Sequence, residues 1–206
     1  MIIHDVEQGS EEWHNLRAGI PTASEFSKLV TSTGKESKSL GDYAMVLAAE
    51  KFAGKMVDGF AGNAYTERGK ELEDEARADY EMTMQQPVVE VGIVTNDFMQ
   101  YAASPDGMVG DNGMVEFKCK IAKEHIKTIL YYEKHGKAPT DYIAQTQGQL
   151  FVCEREWVDL MFYHPDLPNL IIRQIPDPVF IATLKKQLKA VEAERNIILE
   201  KLKARN

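Results

Sequence analysis

Hydrophobic and polar residues alternate along residues 115–120, where apolar side chains are separated by Glu116, Lys118 and Lys120. Successive side chains of a β-strand point to opposite faces, so this alternation predicts a strand with one core face and one charged face. Just upstream, residues 110–113 contain an Asn-Gly pair, which is a strong signal for a tight β-hairpin. The pattern therefore predicts a hairpin whose first arm carries Asp106 beside the charged face of the second arm.

Other periodic runs predict the remaining elements. Helical spacing of apolar residues predicts two short helices within residues 10–30 and further helices at 40–55, at 64–82, at 122–135, from Pro139 onward and at about 178–204. Strands are predicted at 88–95, 99–103, 157–164 and 169–175, and a loop is predicted around Gly54, Gly59 and Gly62. This order predicts an α/β fold: a single domain over residues 1–206 in which a central mixed β-sheet is flanked by helices.

Polar residues at helix starts predict three N-terminal caps. Thr22 with Glu25 three residues later has the spacing of a capping box. Thr140 is predicted to cap the helix that follows Pro139. Asp177 precedes Pro178, which places a capping carboxylate before a proline at the first helical position.

Composition narrows the range of functions. The 206 residues suffice for one domain with a sizeable core, and no apolar run approaches the roughly 18 residues of a membrane span. The N-terminus lacks the basic region of a signal peptide, and Cys119 and Cys153 lack zinc-type spacing. We therefore expect a cytoplasmic protein with reduced thiols and no membrane partner. The net charge of −8 argues against a DNA-coating protein, but a bound cation would make carboxylates compatible with phosphate.

Asp106 and Glu116 are candidate ligands of a divalent metal ion. Two carboxylates facing one cleft can hold Mg²⁺ through hard oxygen ligands and leave coordination sites for water and a phosphate oxygen. Lys118 lies two residues beyond Glu116 on the same strand face, where its amine can orient or deprotonate that water. Pro105-Asp106 followed by Glu-x-Lys is the pattern of the PD-(D/E)xK nucleases. The alternative interpretation is a surface hairpin with a cross-strand ion pair.

Five short motifs point in the same direction. They are Glu7-Gln8-Gly9 with residues 13–25, Gly69-Lys70-Glu71-x-Glu73-x-x-Ala76, Ser104-Pro105-Asp106-Gly107, Glu116-x-Lys118-Cys119 and Tyr142-x-Ala144-Gln145-x-Gln147. In this order they resemble the viral-recombinase (YqaJ-like) family of alkaline exonucleases, the group of phage lambda exonuclease within the PD-(D/E)xK superfamily. The resemblance covers roughly residues 6–155 and is far more specific than any one motif.

The resemblance assigns roles to individual residues on a restriction-endonuclease-like core. It implies catalytic residues and metal ligands at Asp106, Glu116, Lys118, Gln145, Glu73 and the backbone carbonyl of Phe117. For Glu73 the alternative is a helix-surface ion pair with Arg77, four residues later. Gln145 is predicted to share a helix face with Tyr142 and Gln149, and without the family an amphipathic helix with exposed glutamines would be the better interpretation. No role is predicted for Gln147.

A second group of residues is predicted to bind phosphate and DNA: Arg17, Thr22, Ser24, Ser104, Lys123 and Tyr142. An Arg fork, hydroxyl groups and helix N-terminal amides suit a terminal 5′-phosphate. Because Ser104 lies two residues before Asp106, this pocket would sit about one nucleotide from the scissile bond. The alternative is that Arg17 pairs with a nearby acid such as Glu12, while the serines merely cap helices.

Lysines cluster after the hairpin, at Lys118, Lys120, Lys123, Lys127, Lys134 and Lys137, with His125 and His135 among them. We predict that this segment follows a phosphate backbone, although a solvated helix face explains the outer members equally well. Two features depart from the family pattern. Lys120 stands where Pro usually follows Lys-Cys, and no family arginine aligns beyond it, which leaves Lys123 as the nearest basic candidate.

The resemblance implies a Mg²⁺-dependent, processive exonuclease that degrades one strand of linear double-stranded DNA from 5′ to 3′. The 3′ single-stranded tails would then serve recombination by single-strand annealing. It further implies two Mg²⁺ ions per site with Mn²⁺ as a substitute, a 5′-phosphorylated duplex end, a ring-shaped homotrimer and a single-strand annealing protein as partner. Two alternatives stay open: a flap- or branch-cutting endonuclease with the same Asp106, Glu116 and Lys118, and a non-catalytic DNA- or protein-binding relic.

Overall fold

A computed structural model describes residues 1–57 and 64–205, and within residues 64–71 it describes only the backbone. The α-helices are α1 (Glu11–Arg17), α2 (Leu40–Ala53), α3 (Ala64–Met84), α4 (Ala122–His135), α5 (Ile143–Val152) and α6 (Pro178–Lys203). The strands are β1 (Ile2–His4), β2 (Val88–Val89), β3 (Ile93–Thr95), β4 (Ala102–Ala103), β5 (Gly107–Val109), β6 (Gly113–Cys119), β7 (Trp157–Tyr163) and β8 (Leu170–Gln174). The predicted glycine loop falls partly on Gly59 and Gly62, which lie outside the described residues.

The main sheet has five strands in the order β2-β5-β6-β7-β8. Only the pairing of β6 with β7 is parallel within this sheet, so the sheet is mixed. One face packs against α3 through Ala76 and Tyr80, and the other buries Leu160 and Phe162 near α4 and α5. A smaller antiparallel sheet contains β1, β3 and β4. The predicted single α/β domain, with a mixed sheet flanked by helices, is confirmed.

The predicted hairpin is formed by β5 and β6. The two strands are antiparallel, with Gly107 opposite Val115 and Val109 opposite Gly113. Gly110 adopts a positive φ of 57° in the turn, a conformation that glycine accepts without strain. Val115 and Phe117 are buried on the α3 side, as the alternation predicted, and this leaves Glu116 for the opposite face.

Two predicted caps are wrong. The Thr22 side chain makes no capping hydrogen bond, and Glu25 instead forms an ion pair with Lys28 in a 3-10 helix at Ala23–Lys28. The reason is that the Thr22 hydroxyl is already engaged by Arg17. Thr140 is likewise not a cap, because it begins a 3-10 turn at Thr140–Tyr142 whose preceding residue is a proline, and the α-helix starts later.

The strand predicted at residues 88–95 is also wrong as a continuous element. It is divided into β2 and β3, which belong to different sheets. Gly92 lies just before β3, where an added Cβ would come within 2.1 Å of the Val6 carbonyl oxygen and 2.7 Å of the His4 carbonyl oxygen. The backbone of the N-terminal segment approaches too closely here for any side chain, and the chain changes sheets around this point.

The C-terminal helix α6 begins as predicted. The Asp177 carboxylate accepts hydrogen bonds from the N–H groups of Val179 and Phe180, and Pro178 occupies the first turn. Its apolar stripe packs mainly against α2 and buries Leu184 and Val191. Among the described helices, none is long and apolar enough to cross a bilayer. Cys153 is a buried thiol, and Cys119 is half-buried.

Candidate active site

The β5–β6 hairpin brings Asp106 and Glu116 together. Asp106 immediately precedes β5, while Glu116 lies in the middle of β6, on the strand directly paired with it. The Asp106 carboxylate accepts a hydrogen bond from the backbone N–H of Phe117 at 2.6 Å. Strand pairing therefore fixes the two carboxylates relative to one another, as the sequence predicted.

Glu116 is held by three donors although it is only 2% exposed. Its Oε1 accepts hydrogen bonds from Lys118 Nζ at 2.6 Å and from Gln145 Nε2 at 2.5 Å. Its Oε2 accepts a hydrogen bond from Gln149 Nε2 at 2.6 Å. A buried carboxylate is costly without hydrogen-bond partners, and here one amine and two neutral amides supply them.

The charges of the site strongly influence one another. Burial raises the pKa of Asp106 well above its usual value, and the carboxylates of Glu116 and Glu73 raise it further. Burial also raises the pKa of Glu73, with Glu116 as the next cause. For Lys118, burial lowers the pKa, but the Glu116 and Asp106 carboxylates more than offset this and leave it above its ordinary value. Lys118 is therefore an ammonium group among acids.

This donor set fits a divalent cation. Three carboxylates disfavour each other's ionised forms, and a bound cation would relieve that repulsion through hard oxygen ligands. Among the described residues, however, no three Asp, Glu, His or Cys side chains converge closely enough to form a ligand cluster. Glu73 interacts electrostatically with Glu116 and Asp106, and its predicted role as a third ligand stays a prediction. The predicted role of the Phe117 carbonyl stays a prediction.

A cleft of about 510 Å³ opens beside Asp106 and Glu73. Arg77 lines this cleft and forms ion pairs with Asp74 and Glu90, at 2.9 and 3.0 Å. The described ion pairs do not join Arg77 to Glu73, so the alternative role proposed for Glu73 is not observed. The cleft gives solvent a route to the Asp106 and Glu73 carboxylates.

A second cluster forms around Arg17. Its Nη2 donates hydrogen bonds to Thr22 Oγ1 at 3.4 Å and to Ser24 Oγ at 3.2 Å. The guanidinium lies 4.0 Å above the Trp13 ring, and the Trp13 indole N–H donates to Ser104 Oγ at 2.9 Å. Four of the six predicted phosphate residues, Arg17, Thr22, Ser24 and Ser104, are thus brought together, and Trp13, to which the sequence assigned no role, connects Ser104 to the others.

The Arg17 side chain retains binding capacity in this cluster. It has no partner among the ion pairs of the described residues, so the predicted alternative with Glu12 is not observed. Its Nε is buried without a hydrogen-bond acceptor. Burial lowers the pKa of Arg17, although a guanidinium still remains protonated. The guanidinium therefore keeps a positive charge that no carboxylate among the described residues neutralises in an ion pair.

The predicted basic segment divides into two parts. The amine of Lys120 turns inward, 5.0 Å from the Tyr142 ring centre and 3.0 Å from Thr128 Oγ1. Tyr142 also lies 5.7 Å from Lys118 Nζ, which places its ring beside the Lys118 amine. Lys123, by contrast, is exposed on α4, and Lys127 pairs with Glu124.

The glutamines of α5 have separate functions. Gln147 donates to the Ile175 carbonyl at 2.9 Å and accepts a hydrogen bond from the Asp177 N–H at 2.6 Å, so it secures the start of α6. Gln149 contacts Glu116 directly, a role that sequence reasoning missed. Its spacing of four residues from Gln145 was the available signal, because that spacing places both amides on one helix face.

Gln8 supports the site from the N-terminal segment. Its amide donates to the carbonyl oxygens of Val91 at 2.9 Å and Pro105 at 3.0 Å. Pro105 immediately precedes Asp106, so Gln8 holds the backbone that positions this carboxylate. The Glu7-Gln8-Gly9 motif was noted in the sequence, but no role was assigned to Gln8.

Comparisons with known proteins agree with this geometry. Residues 12–156 match the model of the YqaJ-like viral recombinase domain. The structure resembles an alkaline exonuclease, LHK-Exo, from Laribacter hongkongensis, with 33% identity, a TM-score of 0.82, and coverage of 95% of this chain and 97% of that chain. The complex of LHK-Exo with dAMP gives 33% identity, a TM-score of 0.81 and the same coverage.

A more distant structure shares the fold. It is a phage-related exonuclease from Haemophilus somnus 129PT, with 17% identity, a TM-score of 0.71, and coverage of 92% of this chain and 99% of that chain. No match is found among curated protein sequences. The family match spans more than half of the chain, and the first relative is aligned over nearly its whole length. The chain therefore belongs to the YqaJ-like viral recombinase family and is a nuclease, a DNA exonuclease.

Proposed function

We propose that this nuclease is a Mg²⁺-dependent, processive exonuclease that degrades one strand of linear double-stranded DNA from 5′ to 3′. One observation carries the proposal: Ser104, joined to the Arg17 cluster through Trp13, lies two residues before Asp106 of the carboxylate pair. A group that can grip a terminal phosphate and a group that can hold metal thus share one short backbone segment. Such an arrangement suits removal of nucleotides from a phosphorylated 5′ end.

The chemistry would be divided among residues of this chain. Asp106 and Glu116 would bind Mg²⁺, or Mn²⁺ in its place, with Glu73 and the Phe117 carbonyl completing a site for two ions. The bound metal would supply a water of lowered pKa and would offset charge developing on the phosphorus. The Lys118 ammonium would orient the attacking water and help neutralise the same charge. The Gln145 amide would position the water or a phosphate oxygen without adding charge.

The Arg17 cluster would set the 5′-to-3′ direction of digestion by binding the terminal 5′-phosphate. After each cleavage the new terminal phosphate carries more charge than an internal diester and offers more acceptor oxygens. The Arg17 guanidinium, whose Nη2 already lies beside the Ser24 hydroxyl, and the hydroxyl groups of Ser24 and Ser104 could bind these oxygens. The complex of LHK-Exo with dAMP concerns a deoxynucleoside monophosphate, which is the kind of product that an exonuclease releases.

The first test compares substrates. Linear duplex DNA with 5′-phosphate ends should be degraded with Mg²⁺ and should be untouched in EDTA. A label on the 5′ phosphate should be released early as a mononucleotide, whereas a 3′ label should stay on the DNA until late in the digestion. Covalently closed circular duplex should be resistant. Cleavage of a flap on closed circular DNA would instead support the flap endonuclease, and no cleavage of any substrate would support the non-catalytic alternative.

The second test concerns Arg17. Replacing Arg17 with Ala removes a charge-assisted contact worth about 1.5–3 kcal/mol, so the preference for 5′-phosphate over 5′-hydroxyl ends should fall about ten- to a hundredfold. Lys28→Ala, which removes a nearby exposed cation, is the control and should keep the preference. If Arg17→Ala slows both substrates equally, the phosphate pocket lies elsewhere.

The remaining parts of the proposal concern the cellular setting. We propose a ring-shaped homotrimer that acts in the cytoplasm and passes 3′ single-stranded tails to a single-strand annealing protein. The description of the family as viral recombinases supports this role, because annealing requires tails of one polarity. Lys123 and Tyr142 would contact the DNA backbone, Lys123 from the exposed face of α4.

A further inference from the structure

The turn that follows Arg17 is gripped by two buried charged residues from distant parts of the chain. The N–H of Gly19 donates to Glu50 Oε2 at 2.9 Å, and the carbonyl of Gly19 accepts a hydrogen bond from Arg195 Nη1 at 2.8 Å. Glu50 belongs to α2 and is 5% exposed, while Arg195 belongs to α6 and is 7% exposed. A carboxylate and a guanidinium therefore hold one residue, Gly19, from both of its peptide groups.

The same turn is pressed closely against α2. Gly19 has a φ of 73°, and an added Cβ would lie 2.8 Å from Lys51 Cβ and 2.9 Å from the Lys51 backbone nitrogen. Three residues later, the Thr22 N–H donates to the Tyr43 hydroxyl at 3.2 Å. The backbone is thus anchored at both ends of the stretch that separates Arg17 from Thr22.

Two buried charges are a costly way to fill space. Burial raises the pKa of Glu50, with the Gly19 N–H partly opposing it, and burial lowers the pKa of Arg195. Apolar side chains of similar volume would fill the same space without this desolvation cost. Apolar side chains cannot, however, fix the direction of a peptide group, which is what these two hydrogen bonds achieve.

We propose that Glu50 and Arg195 are positioning residues for the 5′-phosphate pocket. By fixing the Gly19 turn, they hold the Arg17 guanidinium at the spacing from the Thr22 and Ser24 hydroxyls that grips one phosphate group. The inference rests on the proposed function of the Arg17 cluster. It gives α6 a part in substrate selection, although this helix contributes no side chain to the described cluster.

The experiment measures initial rates on 5′-phosphorylated and 5′-hydroxyl linear duplexes, with substrate well below KM, using the full chain with Mg²⁺. Arg195→Met and Glu50→Leu remove the two hydrogen bonds to Gly19 while roughly preserving volume. Each should lower the preference for the phosphorylated end about tenfold, since small displacements of a binding group are costly. Glu50→Gln retains an acceptor for the Gly19 N–H and should keep most of the preference.

Two matched controls separate positioning from general damage. Lys189→Met removes an exposed positive charge from the same helix as Arg195. Leu184→Ala removes a buried α6 side chain that packs in the core, so it destabilises the protein without touching Gly19. Both controls should retain the wild-type preference. All rates are measured at a temperature well below the thermal unfolding midpoint of the least stable variant, so that each variant is folded during the assay.

The outcomes separate this inference from the proposed function. If Arg17→Ala loses the preference while Arg195→Met, Glu50→Leu and their controls all keep it, the pocket stands and the positioning role is refuted. If Leu184→Ala loses as much preference as Arg195→Met, the effect is one of stability, and the positioning role is again refuted. If Arg17→Ala keeps the preference, the pocket itself is refuted, and the positioning role with it.

Discussion

At the scale of single residues, the site depends on how Glu116 is held. Its two oxygens accept hydrogen bonds from Lys118, Gln145 and Gln149 while the side chain is almost completely buried. A carboxylate fixed in this way presents a defined direction to a cation and loses little freedom when the cation binds. The three donors that hold Glu116 would therefore also orient it for the metal ion proposed above.

The first prediction concerns the carboxylate pair. Asp106→Ala and Glu116→Ala should each abolish cleavage, because each removes a hard oxygen ligand from the same cleft. Glu116→Ala should also lower the free energy of unfolding by about 1–3 kcal/mol, since it leaves buried donors without their acceptor. Nuclease assays with urea denaturation of the same preparations check both parts. Substantial cleavage by either folded variant would refute the metal assignment.

The second prediction separates Lys118 from the metal ligands. Lys118→Ala should lose cleavage yet keep its affinity for Mg²⁺, because the amine is a cation that repels metal rather than a ligand. Isothermal titration with Mg²⁺ alone measures the affinity independently of activity. Lys127→Ala, which removes an exposed amine paired with Glu124, is the control and should change neither quantity. A large loss of Mg²⁺ affinity in Lys118→Ala would give Lys118 a structural role.

At the scale of elements, α3, β7 and β8 are joined by a group of three hydrogen-bonded side chains, Tyr80, Asp159 and Arg173. Asp159 on β7 is 1% exposed and accepts hydrogen bonds from the Tyr80 hydroxyl of α3 at 2.7 Å and from Arg173 of β8, twice, at 2.8 Å. The Arg173 guanidinium lies 3.7 Å above the Trp157 ring. Since α3 also carries Glu73, this group fixes the helix that brings a third carboxylate to the site.

The third prediction tests this group. Arg173→Met should lower the free energy of unfolding by roughly 2 kcal/mol, because it leaves the Asp159 carboxylate buried without a cation. The Arg173 guanidinium is half-exposed, and solvent screening therefore keeps this cost below that of breaking a fully buried ion pair. The triple variant Tyr80→Phe, Asp159→Leu, Arg173→Met should recover most of this loss. Urea denaturation at neutral pH checks both. Equal stability of Arg173→Met and wild type would contradict the prediction.

The elements also show which parts of the structure the sequence could predict. The hairpin and the glutamine face of α5 follow from alternation and helical spacing, which are local properties of the chain. The capping box failed because Arg17, another residue of the site, engages the Thr22 hydroxyl. The hydrogen bonds from Gly19 to Glu50 and from Arg195 to Gly19 could not be predicted, because these partners lie 31 and 176 residues away in the sequence and no local pattern marks them.

At the scale of the whole molecule, net charge and function conflict. The chain carries a formal net charge of −8, whereas the processive digestion proposed above would require it to remain on an acidic polymer through many cycles of cleavage. Within the described lysine segment after the hairpin, the Lys118 and Lys120 amines turn toward the site, while Lys127 is paired with Glu124. Electrostatic attraction alone is therefore a poor explanation for processive digestion.

The ring-shaped homotrimer proposed above would resolve this conflict, because a ring that encircles the DNA retains it even where charge does not. The last prediction is that the protein is a homotrimer in solution, with a light-scattering mass close to three times the 23.2 kDa of the chain. Its digestion should continue after an excess of unlabelled linear duplex is added, because an encircled strand does not exchange. A monomer mass at working concentration would defeat the ring, and digestion that stops on addition of competitor would show that assembly does not confer processivity.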